Sequence, residues 1–235
     1  MGARYGLAMS DAFSLVFETS TPHASLALAG PEGVVDRREF RSDRNHNAML
    51  FAPLRELLHG DGHREIGLVL VGSGPGSYSG TRVGIAAAQG VAMALACPAV
   101  AVPSILAVPS AENGAACLAI GDARRGSFWS ARVENFRLAG EPELCDAKGL
   151  AAVVSAAALQ GIAVFCFEDP SRFPLPEELV RLVKPEFPDA TRLWQAWLGT
   201  SEENRRKWSE EIPQPHYLKP PHITPAKRSP LVRPC

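Results

Sequence analysis

Cysteine, aromatic side chains and surplus charge are all scarce in this chain. Five cysteines stand at 97, 117, 145, 166 and 235 with no CxxC among them. That odd count fits neither a disulfide framework nor a zinc cage and points to a reducing compartment. Lys and Arg number 24 against 25 Asp and Glu, so no global field draws the molecule to a polyanion or an anionic membrane. Contact with nucleic acid must then be local or belong to a partner. No basic-then-apolar leader opens the sequence. The uncharged stretch 83–111 is broken by Gly84, Gly90, Pro98, Pro103 and Pro109 into pieces too short to span a bilayer. These absences favour a cytoplasmic protein with no membrane attachment. What is present is 235 residues, 46% of them hydrophobic, enough to bury roughly 70% of the unfolded surface in one large domain or two small ones.

Short β-like runs, FSLVFETS (13–20), HASLALAG (23–30) and VVDRREF (34–40), are separated by turn-sized gaps and predict a three-stranded meander. Ser42 or Asp43 then caps a helix over 44–58 with a core stripe of Leu50, Leu54, Leu57 and Leu58; Pro53 bends it and Gly60 ends it. A strand at 67–72, a helix at 79–96 and the strand AVAV at 99–102 follow. After Asn113 the pattern restarts with a hairpin, CLAIGDARRGSFWSARVE, turning at Arg125-Gly126. An alanine-rich helix (AKGLAAVVSAAALQ), a buried strand (GIAVFCFED) and a short helix (TRLWQAWLG) complete it. The reading is α/β in two lobes, 1–112 and 113–212, repeated in topology and not in residues. From 213 to 235 seven prolines and four basic side chains occur without an acid, a tail that cannot pack a core.

The most informative stretch is GLVLVGSGPGSYSGTRVGIAAAQGVAMAL, residues 67–95. Strand, glycine turn and helix start place backbone N–H groups toward an anion, with Gly74, Gly76, Ser77, Gly80 and Arg82 as the candidate set. The established phosphate fingerprints are absent, however: no Lys followed by Ser or Thr completes GxxxxGK[ST], and Pro75 removes one N–H. A plain strand-to-helix turn is the competing reading. In the helix, Gly80, Gly84 and Ala88 recur at i, i+4 and i+8, a nearly flat side, and apolar residues cover the rest. A helix apolar all round is buried all round. The sheet covers one side, so the flat side calls for a second helix, with the helix at 44–58 as neighbour and another polypeptide or the second lobe as cover.

The segments LVFETSTPHASLAL, RNHNAMLFAPLRELL, VGSGPGSYSGTRVGIAAAQGVAMAL, PAVAVPSILAV, GDARRGSFWSARV and PHYLK resemble, in that order, the signature segments of the TsaB (YeaZ) family, whose central motif runs GPGSFTGLR. The likeness covers most of 13–135 plus the tail motif. It implies the actin-like ATPase (sugar kinase/Hsp70/actin, RNase H-like) fold with two lobes and mixed central sheets. It also implies a non-catalytic subunit needed, with the catalytic paralogue TsaD and the ATPase TsaE, to make threonylcarbamoyladenosine next to the anticodon of tRNAs reading codons that begin with adenine. No cofactor is implied for the chain itself, ATP and a metal ion belonging to the partner subunits, and tRNA is met through the complex. In the family the two N-lobe helices pack against their counterparts in TsaD or in a second copy of the protein. Carried onto this sequence, the partner face is Asn47, Leu50, Phe51, Leu54, Gly80, Val83, Gly84, Ala87, Ala88 and Val91.

The sequence departs from the family at Glu18, where an Asp is usual; active members of the fold run nucleotide chemistry from that position, and the longer side chain speaks against such chemistry here. Tyr78, Ser79 and Thr81 stand for Phe, Thr and Leu in the central motif. His59 and His63 spell HxxxH, yet Gly60 and Gly62 make a loop that does not align two imidazoles. No residue is read as catalytic or as a metal ligand. His46 matches a family position or is an exposed first-turn residue, and Lys219, Lys227, Arg228 and Arg233 either touch tRNA phosphate or are solvated. A kinase or carbamoyl transferase of the same fold acting by itself is the alternative. It would need an acidic group working at Glu18 and a second glycine turn after residue 113, which the sequence does not contain.

Overall fold

The computed structural model describes residues 12–41, 46–59 and 64–216. Its first half contains β1 (Phe13–Glu18), β2 (His23–Gly30), β3 (Gly33–Arg41), α1 (His46–Leu58), β4 (Ile66–Gly72), α2 (Tyr78–Leu95) and β5 (Ala99–Val102). They form a five-stranded sheet of order β3-β2-β1-β4-β5. β1 runs antiparallel to β2 and parallel to β4, which is parallel to β5. Two crossover helices, α1 and α2, make the parallel pairings possible. The exposed edge strand β3 reads GVVDRREFR with alternating exposure, and its charges discourage edge-to-edge pairing.

The second half repeats this plan with β6 (Cys117–Asp122), β7 (Phe128–Glu134), β8 (Arg137–Leu138), β9 (Glu143–Cys145), α3 (Ala147–Leu159), β10 (Ala163–Cys166), α4 (Glu177–Val180) and β11 (Val183–Pro185). The sheet order is β11-β10-β6-β7-β8, with β9 also on β7. β6 is antiparallel to β7 and parallel to β10. The hairpin turns where expected, through Arg124, Arg125 and Gly126, all at positive φ. α5 (Ala190–Gly199) and α6 (Glu202–Glu210) follow. The architecture is thus an α/β fold built on two mixed sheets.

Each central strand is buried on both faces, which is why its sequence is continuously apolar rather than alternating. Leu15 and Phe17 join Leu50, Leu54 and Leu57 of α1 and Ile85, Ala88 and Ala92 of α2. Val16, between them, faces the opposite way, into a core that also holds Phe165 of the second sheet and Leu193 and Trp197 of α5. A third cluster packs Leu118, Ile120 and Val164 against Leu150 and Val154 of α3. α5 contacts β1, β2 and β4, so the chain returns late to cover the first sheet. Leu58, expected in the core stripe of α1, is 40% exposed; one residue beyond Leu57 is a 100° turn away from the core.

Candidate functional site

The glycine turn is built by close approach. Gly74 has φ +87°, and a Cβ on Gly76 would overlap the carbonyl oxygen of Ser20. Three of the N–H groups that an anion would need are spent inside the protein. Gly74 N donates to Ser104 Oγ at 3.0 Å, Ser77 N to Ser20 O at 2.6 Å and Gly80 N to Ser77 Oγ at 3.2 Å, the last being the N-cap of α2. The Arg82 guanidinium lies over the Tyr78 ring, 3.8 Å from its centroid. The candidate set Gly74, Gly76, Ser77, Gly80 and Arg82 is therefore gathered in one place, as a tight strand-to-helix connection.

α2 sorts the expected partner residues into two groups. Gly80, Gly84 and Ala88 are buried, and so are Leu50 and Leu54 of α1. The flat side is not a seat for a second helix: it lies on the chain's own first sheet. A Cβ on Gly84 would overlap Thr19 Oγ1, and that hydroxyl donates to Gly80 O at 2.8 Å. The glycines are where they are so that the helix can approach the residue just past β1. Val83, Ala87 and Val91 are half-buried and Phe51 is 58% exposed. Together with the exposed Ala86, Gly90 and Ala94 they line an apolar surface groove of about 620 Å³. Of the expected partner face, Leu50, Leu54, Gly80, Gly84 and Ala88 are thus turned inward, because the sheet takes the small residues of α2 for its own close approach. The side chain of Asn47 lies outside the described residues.

A cleft of about 670 Å³ opens between the two sheets, with Ser20, Ser77 and Tyr78 on one wall and Asp122, Trp129 and Arg172 on the other. Glu18 is not on its walls. The carboxyl is 0% exposed; Oε1 accepts from Ser20 N at 2.7 Å, and Oε2 has no hydrogen-bond partner. Burial pushes this carboxyl above its ordinary value and Asp189 adds to the rise, while the Ser20 amide and the nearby Ser20 and Ser104 hydroxyls offset part of it. Neither hydroxyl makes a hydrogen bond of normal geometry to it.

Two further contacts had no sequence signal. Gln89 Nε2, on α2, donates to Pro213 O at 3.1 Å, and His216 N donates to Ser73 O at 2.9 Å. The start of the tail thus lies across α2 and ends at the glycine turn, where Pro215 and His216 reach the cleft. The rest of the tail and its four cations lie outside the described residues, as do the side chain of His46 and, from HxxxH, His63. Among the described residues no group of three or more His, Cys, Asp and Glu is placed to hold a metal ion, and no helix is long and apolar enough to cross a membrane. Cys117 and Cys166 are buried and unpaired, their thiols pushed up by burial to about 12 and about 11.

The sequence profile of the family described as "TsaD: tRNA N6-adenosine threonylcarbamoyltransferase" matches residues 34–181. The chain is similar to the tRNA threonylcarbamoyladenosine biosynthesis protein TsaB of Escherichia coli (strain K12), 31% identical over 123 residues, 49% of this chain and 53% of that protein. It therefore spans about half the length of the curated relative it matches. Two solved structures from Pseudomonas aeruginosa have the same fold. An uncharacterized protein with similarity to peptidase YEAZ has a TM-score of 0.67 at 24% identity, covering 88% of this chain and 100% of that one. YeaZ has a TM-score of 0.64 at 23% identity, covering 88% and 99%.

Proposed function

The chain belongs to the tRNA N6-adenosine threonylcarbamoyltransferase (TsaD) family, and from that premise we propose that it is of the TsaB (YeaZ) branch, a non-catalytic subunit of tRNA threonylcarbamoyladenosine biosynthesis. It pairs through α1 and α2 with a TsaD-like catalytic subunit, and a TsaE-like ATPase joins the pair. In this reading the chain acts in the cytoplasm and carries no cofactor of its own. ATP and a metal ion belong to the partner subunits, and tRNA is met through the complex. A second copy of the chain can take the same seat when the partner is absent.

One observation carries the proposal: the apolar groove of α2 flanked by Phe51, on a helix whose other side is already satisfied by the first sheet. Exposed apolar surface of this kind marks a partner site on a soluble protein, and the half-buried Val83, Ala87 and Val91 give a partner helix a shallow seat to fill. The alternative, a kinase or carbamoyl transferase acting alone, has less support. Glu18, on which it would depend, is sealed beneath the glycine turn and off the cleft walls.

The test is reconstitution. The purified chain, a TsaD-like protein and a TsaE-like protein are assayed singly and mixed for threonylcarbamoylation of tRNA. Product is expected only when the chain and the TsaD-like protein are both present. Product formed by the chain without a TsaD-like protein would establish the alternative.

A further inference from the structure

The outward side of α2 has two flanks, and the apolar groove occupies only one of them. With about 100° of turn per residue, Val83, Ala87 and Val91 fall on the flank of the groove, beside Phe51 of α1. Gln89 and Met93 fall on the opposite flank, and the exposed Ala86 and Gly90 form the ridge between. Along that second flank runs the chain's own C-terminal stretch. Gln89 Nε2 donates to Pro213 O at 3.1 Å, and three residues later His216 N donates to Ser73 O at 2.9 Å, just past the end of β4.

Residues 212–216 are thus a strap tied in two places. Its origin is fixed as well: α6, from which it leaves, rests on β5, and Trp208 of α6 packs against the core shared by the two sheets. The strap sequence, Ile-Pro-Gln-Pro-His, is stiff, because each proline fixes its own φ and holds the residue before it extended. Such a strap keeps its side chains where the ties put them. Ile212 is held 79% exposed, next to the tie at Pro213, and Met93, one turn beyond Gln89 on α2, is 83% exposed. Two large apolar side chains therefore stand in water on either side of a single internal hydrogen bond, and paired exposure of this kind marks a contact surface.

We infer that the strap is the second wall of the partner seat: Ile212 and Met93 contact a TsaD-like subunit along the flank of α2 that faces away from α1, opposite Phe51. The inference rests on the docking reading and extends it from two helices to three segments. It commits the partner to an apolar surface wide enough to cross the Ala86 and Gly90 ridge and touch both flanks. The exposed Glu210 and Glu211, at the start of the strap, supply the polar rim that surrounds such a contact.

The experiment uses full-length wild type, Ile212→Glu and, on the ridge, Ala86→Glu. Calorimetry measures affinity for a TsaD-like protein, and urea unfolding measures stability. Ile212 is already in solvent, so Ile212→Glu should unfold like wild type while its affinity falls by about tenfold or more, because a charge is driven into an apolar contact. Wild-type affinity in Ile212→Glu, with weakened binding by Ala86→Glu, overturns the second wall and leaves the docking reading standing. Wild-type affinity in both variants overturns the docking reading as well. If Ile212→Glu does not fold, wild type alone decides, through the rate at which peroxide converts Met93 to its sulfoxide. A saturating TsaD-like partner should slow that reaction by about tenfold or more if it covers the thioether; an unchanged rate refutes the inference.

Discussion

Gly84 occupies the place where α2 comes nearest to the first sheet, with Thr19 Oγ1 where its side chain would be. That hydroxyl is not free to swing away, since it donates to Gly80 O at 2.8 Å from a residue only 2% exposed. Gly84→Ala must therefore push the helix outward or break the bond, and should cost about 1–3 kcal/mol. Gly90, on the same helix, has nothing within 4 Å of a built Cβ. Gly90→Ala should stabilise by about 0.5–1 kcal/mol, through lower backbone freedom in the unfolded chain. Urea unfolding of the two variants checks both signs at once. The i, i+4 glycines were legible in the sequence as a close approach; what they approach was not. Thr19 lies 61 positions before Gly80, and no local pattern announces a contact at that range. Glu18 was legible as a departure from its family, but its enclosure by Ser20, Ser104 and Gly72 comes only from the packing of three separate segments.

α2 works as an element with two different sides, one fixed to the sheet and one left apolar toward solvent. Its extent was readable to within a residue, 79–96 against Tyr78–Leu95, from the run of small apolar residues, and β1, β2, β4 and α3 were equally plain, since each is a run of one period bounded by turn residues. The short pieces β8, β9, β11, α4 and the polar α6 were not, because two to nine residues carry too little periodicity to stand out. Which side of α2 faces outward is not legible in its sequence for a physical reason: small residues permit contact with any partner, and only the neighbouring strand decides which. The outward side makes the next prediction. Ala86 is exposed in the groove, so Ala86→Glu should leave folding intact and weaken binding of a TsaD-like partner by roughly tenfold or more, about 1.4 kcal/mol, as read by calorimetry. Phe51→Ala should do the same by removing the aromatic rim. Both variants should lower threonylcarbamoylation in the reconstituted mixture in proportion. If neither affinity changes, the docking face lies elsewhere.

For the molecule as a whole, the decisive packing is the core that the two sheets share. Val16, Ala27 and Leu70 from the first sheet meet Ala119, Ala131 and Phe165 from the second, with α5 set between them. All four tryptophans (Trp129, Trp194, Trp197 and Trp208) lie in the second half of the chain and belong to this cluster or pack against it. Their fluorescence therefore reports the shared core, while far-ultraviolet circular dichroism reports the helices and strands of both halves. The two transitions should coincide in urea, as for a single cooperative unit; a tryptophan transition displaced from the dichroism would mean that the lobes melt separately. The helix that completes the first sheet is α5, near the far end of the primary structure. During synthesis, then, the first sheet, finished at Val102, keeps one greasy side bare until α5, ending at Gly199, has also been made.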